Sequence, residues 1–150
     1  MNFQYPRIKL INKELKEPSY YFPDGFESNQ VSSGLSIKFH DIFDRGLVFF
    51  IHADISITKK EENESMNIFH SDYLAIFRTS EVIDPSQEFR ISKLELANMV
   101  GISIIMVKGS IMTILDRHIL DGYQFPLVNP KKILESKLDH DEEYFTLNPS

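Results

Sequence analysis

Residues 47–58 constrain the fold of this chain more than any other segment. Alternate side chains from Leu47 onward are all apolar, which is the period-two pattern of a β-strand with a buried face. The opposite face begins apolar, at Val48 and Phe50, and becomes polar from His52 onward. A sheet packed on one side only should alternate cleanly. We therefore expect helices to cover one face of this strand and a second subunit or a ligand to cover the other.

Three further strands are expected from the same pattern. Residues 3–12 and 35–40 precede the central segment, and residues 66–79 follow it after a charged turn at 59–65. The strand at 66–79 is again apolar on both faces for part of its length. With all strands in the first two-thirds of the chain, the sequence predicts an α+β protein.

Helices are expected in the last third. Ser92 followed by Glu95 is a capping box, which predicts a short helix that ends near Gly101. A longer helix is expected over 102–120, and a last one over 129–137, where Asn129 and Pro130 form a typical start. We expect one domain over 1–137 and an acidic, flexible tail over 138–150.

Composition narrows the classes of function. The chain has 150 residues, a formal net charge of −6 and no cysteine, which speaks against nucleic-acid binding and excludes a Cys-based metal site. Residues 1–10 do not resemble a signal peptide, and we find no apolar run of the roughly 18 residues that span a bilayer. A cytoplasmic protein that does not insert into membranes is the expectation.

The residues that carry chemistry form no known catalytic motif. Five histidines are scattered without metal-ligand spacing, and no glycine-rich phosphate loop is present. His52 and His70 fall on neighbouring predicted strands, with Asp54 and Asp72 two positions further on, so a metal or acid–base cluster competes there with a solvated polar pair. We expect no enzyme activity, no cofactor and no metal.

The loop over 14–33 is unusually aromatic, and short strings elsewhere resemble a known family. Together with the order of the predicted elements, they resemble the SecB family of protein-export chaperones over about residues 3–137. The strings are Phe3–Ile8 followed by Pro18, Ala75–Phe77, Gly122–Pro126 and Val128–Asn129.

This resemblance implies a four-stranded antiparallel sheet followed by a short, a long and a C-terminal helix. It also implies an ATP-independent holdase, assembled as a homotetramer (a dimer of dimers), which binds unfolded polypeptides or preproteins in hydrophobic grooves. The candidate polypeptide-binding residues are Tyr20, Tyr21, Phe22 and Phe26 in the aromatic loop and Ile105, Met106 and Met112 on the long helix.

One departure from the family concerns its partner, the SecA motor. Asn12, Lys16 and His70 stand where the family has acidic docking residues, so contact with SecA is in doubt. A chaperone or interaction module dedicated to one partner, such as a toxin–antitoxin pair, therefore remains an alternative. A small-molecule-binding domain with a pocket between sheet and long helix is the other.

Overall fold

The fold is taken from a computed structural model that describes residues 2–16, 31–59, 64–116 and 144–149. Six strands and one helix lie in these ranges, and the prediction of an α+β protein is confirmed. The elements are β1 (Arg7–Leu15), β2 (Val31–Phe43), β3 (Gly46–Lys59), β4 (Glu64–Arg78), β5 (Phe89–Ser92), α1 (Lys93–Asp116) and β6 (Tyr144–Leu147).

The first four strands form one antiparallel sheet in the order β1-β4-β3-β2. All four were expected from the sequence, although the observed strands are displaced or longer. β1 begins at Arg7 rather than Phe3, because Pro6 has no N–H to donate to the ladder. Pairing still reaches Phe3, which bridges to Thr79.

Bulges adjust the register at three places in this sheet. In β4, Ile68 is an extra residue, because Phe69 pairs with Ile55 and Asn67 pairs with Ser56. The bulge explains why Ile68 and Phe69 are both buried although they are consecutive. The sequence pattern had assigned them to opposite faces of the strand.

The helix covers the continuous apolar face of the sheet. The phenol of Tyr73 donates a hydrogen bond to Oγ of Ser110 over 3.3 Å, which places α1 on the Tyr73 side of β4. Leu47 and Ile51 on this side of β3 are fully buried, as are Val107 and Ile111 of α1. The prediction that helical structure covers one face is confirmed.

The predicted break between two helices at Gly101 is wrong, because α1 runs continuously from Lys93 to Asp116. A glycine in a helix costs about 1 kcal/mol relative to alanine, which packing on either side readily offsets. Val100 and Ile104 are both buried, one before and one after this glycine. The helical apolar face therefore continues through Gly101.

By length and composition alone, Lys93–Ile114 is apolar enough to cross a membrane, contrary to our reading of the sequence. The core helix of a soluble protein passes the same test, so this feature is weak support for a membrane span.

A second, two-stranded sheet was not expected. β5 pairs antiparallel with β6, from Phe89 opposite Leu147 to Ser92 opposite Tyr144. Leu147 is buried in the core, although the sequence predicted a flexible tail over 138–150. The acidic composition of this segment made the strand hard to recognise from the sequence. Its apolar positions, Phe145 and Leu147, nevertheless alternate with more polar ones.

Several predictions fall outside the described residues. These are the last helix at 129–137, the helix end at 117–120, the tip of the turn at 60–63 and most of the aromatic loop. They stay predictions.

Candidate binding surfaces

The outer face of α1 is the first candidate surface. Ile105 and Met106, both predicted to bind polypeptide, leave 69% and 40% of their surface exposed. Leu94, which the sequence analysis had not selected, is also 69% exposed. Met112 differs, because it is partly buried and packs against the core.

Leu94, Ile105 and Met112 share one side of the helix, whereas Met106 lies beside Ile105, about 100° further round. Leu94 and Ile105 are eleven positions apart, which is close to three full turns of about 3.6 residues. Met112 follows Ile105 by seven positions, close to two turns. We call Leu94, Ile105, Met106 and Met112 the helix stripe.

The other four predicted polypeptide-binding residues lie outside the described residues. They are Tyr20, Tyr21, Phe22 and Phe26.

The open face of the sheet, opposite the helix, is the second candidate surface. Its apolar half consists of Val48 and Phe50 on β3 and Leu74 and Ile76 on β4, all of intermediate burial. The ammonium of Lys38 lies 5.1 Å from the ring centre of Phe50, which is within cation–π range. The two-sided apolar character expected from the sequence is therefore present, with one side packed by α1 and the other partly exposed.

The polar half of the open face contains the predicted histidine neighbourhood. His52 pairs with Asp72 across β3 and β4, and Asp54 pairs with His70. The ring Nδ1–H of His52 donates to Oδ1 of Asp72 over 2.6 Å, since an ionised carboxylate can only accept. The expectation that these four residues face one another is confirmed.

The same cluster extends to β1 and is partly solvated. Nε2 of His52 lies 3.5 Å from Oδ2 of Asp54, and the rings of His52 and His70 stack with centres 6.2 Å apart. Nε2 of His70 lies 3.9 Å from a carboxylate oxygen of Glu14, whose side chain is 60% exposed. The chain of contacts therefore links three neighbouring strands.

The chemical capacity of this cluster is limited by its geometry. Within the described ranges, no three His, Asp or Glu side chains are placed to hold a metal ion together. The contacts of these side chains form a partly exposed polar network that joins β1, β4 and β3.

The three positions aligned with the SecA-docking residues lie along one edge of the sheet. Asn12 and Lys16 are exposed on or just after β1, and His70 is half-buried on the neighbouring strand. In the described part of this edge, Asp72 lies opposite Asn12 and Glu14 lies opposite His70. Only Glu14 contributes a carboxylate between Asn12 and Lys16.

Sequence reasoning missed two features of the surface. One is the exposed edge of β1, where Leu10 and the bulged Ile11 are 40% and 50% exposed. The other is the contribution of β6 to the wall of a cavity between the sheet and α1, where the sequence had suggested a pocket formed by the sheet and the helix alone. The alternation of Phe145 and Leu147 was the available signal for that strand.

The comparisons with known proteins do not assign this chain to a family. No protein-family model matches this chain, and no curated protein matches it in sequence. The SecB-like interpretation rests on the sequence strings and on the predicted order of elements, of which the four-stranded sheet followed by one long helix is observed.

Proposed function

We propose that this protein is a SecB-like, ATP-independent chaperone that holds unfolded polypeptides or preproteins on exposed apolar surfaces. The observation that carries the proposal is the helix stripe, where Leu94 and Ile105 are each 69% exposed. Single exposed apolar residues are ordinary, but adjacent exposed apolar side chains, such as Ile105 and Met106, are more typical of an interaction site.

The chemistry of the stripe suits unfolded clients. An unfolded chain exposes the apolar side chains that a folded protein buries, so an apolar surface selects it without sequence specificity. Met106 and Met112 add flexible thioethers, which adapt to partners of different shape. On this proposal the protein is not an enzyme, needs no cofactor or metal, and works in the cytoplasm.

Self-assembly follows from the remaining apolar surface. The open face of the sheet carries Phe50 and Leu74 half-buried, and the β1 edge carries Leu10 and Ile11 exposed. An uncovered edge strand is a template for pairing with another chain. We propose a homo-oligomer, arranged as a dimer of dimers by its resemblance to SecB.

The test is suppression of aggregation of a chemically unfolded model client, without ATP and at near-stoichiometric ratio. Wild-type protein should suppress aggregation, and Ile105→Glu should reduce the suppression several-fold. Val82→Glu is the matched control, because Val82 is also 69% exposed but lies outside α1. Circular dichroism of both variants establishes that the fold is kept.

Two outcomes contradict the proposal. Equal effects of Ile105→Glu and Val82→Glu would remove the helix stripe from the binding surface. No suppression by wild-type protein would rule out a general holdase. The same assay on Phe26→Asp tests the aromatic loop, where a loss of client binding with a retained fold is expected.

A dedicated chaperone is the second candidate, and the sheet edge favours it. Asn12 and Lys16 are exposed at the positions where the resemblance to SecB would place acidic residues for docking to SecA. A client-specific protein, such as one serving a toxin–antitoxin pair, does not need that contact. Tight binding to one co-purified protein, with indifference to generic unfolded chains, would select this alternative.

A further inference from the structure

The cavity between the sheet, α1 and β6 is separate from the helix stripe. Its volume is about 310 Å³, and it is partly open to solvent. Its apolar walls come from three elements, with Phe39 and Phe49 from the sheet, Leu96 and Val100 from α1, and Phe145 and Leu147 from β6.

We propose that this cavity is a binding site for a small, uncharged, mainly aromatic ligand. The inference does not depend on the chaperone proposal, because the cavity contains no residue of the helix stripe.

Aromatic side chains shape the inner wall. The rings of Phe39 and Phe49 meet edge to face with centres 5.7 Å apart, and Phe49 meets Phe77 in the same way at 5.8 Å. These contacts hold Phe49 in place, and it is nearly fully buried. A fixed phenyl wall favours a flat ring over a flexible chain, because aromatic pairs gain from offset or edge-to-face contact beyond the area that they bury.

Among the residues that the structure describes, no charged side chain faces the cavity, and this determines the chemical class of the ligand. The one charged residue of the described lining is Lys38, whose side chain belongs to the opposite face of the sheet. Its ammonium lies over Phe50, 5.1 Å from the ring centre. The other polar residues of the described lining are Thr146 and Asn148, both exposed. A ligand with a buried charge would therefore find no counter-charge from the described part of the wall.

The size of the cavity suits a small organic molecule. Small-molecule sites occupy roughly 300–1,000 Å³, and this cavity lies at the lower end of that range. An engineered apolar cavity of about 150 Å³ in another protein stays dry and binds benzene. Water gains few hydrogen bonds from an apolar wall, so an apolar ligand displaces it at little cost.

The experiment uses prodan, an uncharged naphthalene dye whose emission shifts to the blue in apolar surroundings. It compares two substitutions in the same strand, Phe145→Asp and Tyr144→Asp. Phe145 lines the cavity, whereas Tyr144 is 45% exposed and stacks against the guanidinium of Arg90 at 4.2 Å. Ile105→Glu serves as the variant of the helix stripe.

The full-length protein should bind prodan with a blue shift, and Phe145→Asp should weaken binding by about tenfold or more, because it places an unpaired carboxylate in the apolar wall. Tyr144→Asp and Ile105→Glu should leave the affinity within about twofold, since neither residue lines the cavity. Loss of prodan binding in Ile105→Glu but not in Phe145→Asp would place the dye on the helix stripe and overturn the inference. Equal losses in Phe145→Asp and Tyr144→Asp would also overturn it.

A second measurement on the wild-type protein covers the case in which Phe145→Asp does not fold. Prodan should shift the methyl NMR signals of Leu96, Val100 and Leu147 and leave those of Leu10, on β1 at the opposite edge of the sheet, unchanged. Naphthalene should displace prodan, and naphthalene sulfonate, which adds a negative charge, should not. Unshifted cavity methyls would overturn the site, and displacement by the sulfonate would overturn the ligand class.

Discussion

The backbone N–H of Glu95, in the first turn of α1, donates a hydrogen bond to Oγ of Ser92, the residue just before the helix, over 3.1 Å. This bond satisfies one of the four N–H groups that a helix leaves without an internal partner. On either side of the cap, Ile91 and Leu96 are buried in the same core cluster. The cap therefore sets both where the helix begins and how it enters the core.

Replacing this cap should destabilise the fold. Ser92→Ala is expected to lower the free energy of unfolding by about 1 kcal/mol, because the N–H of Glu95 loses its acceptor. Urea denaturation followed by circular dichroism measures the change. Ser92→Asp is the control, since it keeps an oxygen at the cap and should retain most of the stability. An equal loss in both variants would show that the cap bond does not stabilise α1.

Two glycines should respond to alanine in opposite directions. A Cβ at Gly46 would clash with the carbonyl oxygen of Phe77 and the ring of Phe43, whereas a Cβ at Gly109 would meet nothing within 4 Å. Gly46→Ala should cost about 1–3 kcal/mol through overpacking. Gly109→Ala should stabilise the helix by up to about 1 kcal/mol. Thermal denaturation of both variants gives the signs, and a stabilising Gly46→Ala would contradict the close approach of β3 to β4.

The contact between His52 and Asp72 should contribute a measurable but small coupling energy. The two side chains are 37% and 20% exposed, so solvent screens the interaction. A double-mutant cycle with alanine at both positions should give about 0.5–1 kcal/mol. The looser pair of His70 and Glu14, at 3.9 Å, is the matched control and should give less. Coupling of the control pair as strong as that of His52 and Asp72 would refute this ranking.

The turn at Asp84 should show a local response to pH. Hydrogen bonds from the side chain and then the backbone of Ser86 lower the pKa of the Asp84 carboxyl below its ordinary value. Ser86→Ala removes the larger contribution and should raise that pKa, which an NMR titration of the carboxyl measures directly. A pKa of Asp84 unchanged in Ser86→Ala would rule out the hydroxyl as its cause.

The sign of the stability effect follows from the direction of the shift. Because the folded-state pKa of Asp84 is lowered, its contribution to stability is complete above the unfolded-state pKa. The contribution is lost as the pH falls through the folded-state value. Wild-type protein should therefore lose more stability than Ser86→Ala over that acidic range.

Sequence patterns determined the elements whose signals are local. The alternation after Leu47 predicted β3 and its buried face, because side-chain direction in a strand depends only on position along the chain. The start of α1 could also be predicted from the sequence, because the bond between Ser92 and Glu95 spans only three residues. The facing of His52 and His70 did not follow from the hairpin alone, because the bulge at Ile68 shifts the register by one residue and brings both side chains to one face of the sheet.

Tertiary structure alone decided the features that depend on distant partners. β3 is apolar on both faces near Val48 and Phe49, and only the docking of α1 shows which side becomes the core. The glycine at 101 continues a helix because the sheet supports buried residues before and after it. β6 becomes a strand because β5 supplies its hydrogen bonds from more than fifty positions away in the chain, and the cavity lined by Phe145 exists only once that pairing has formed.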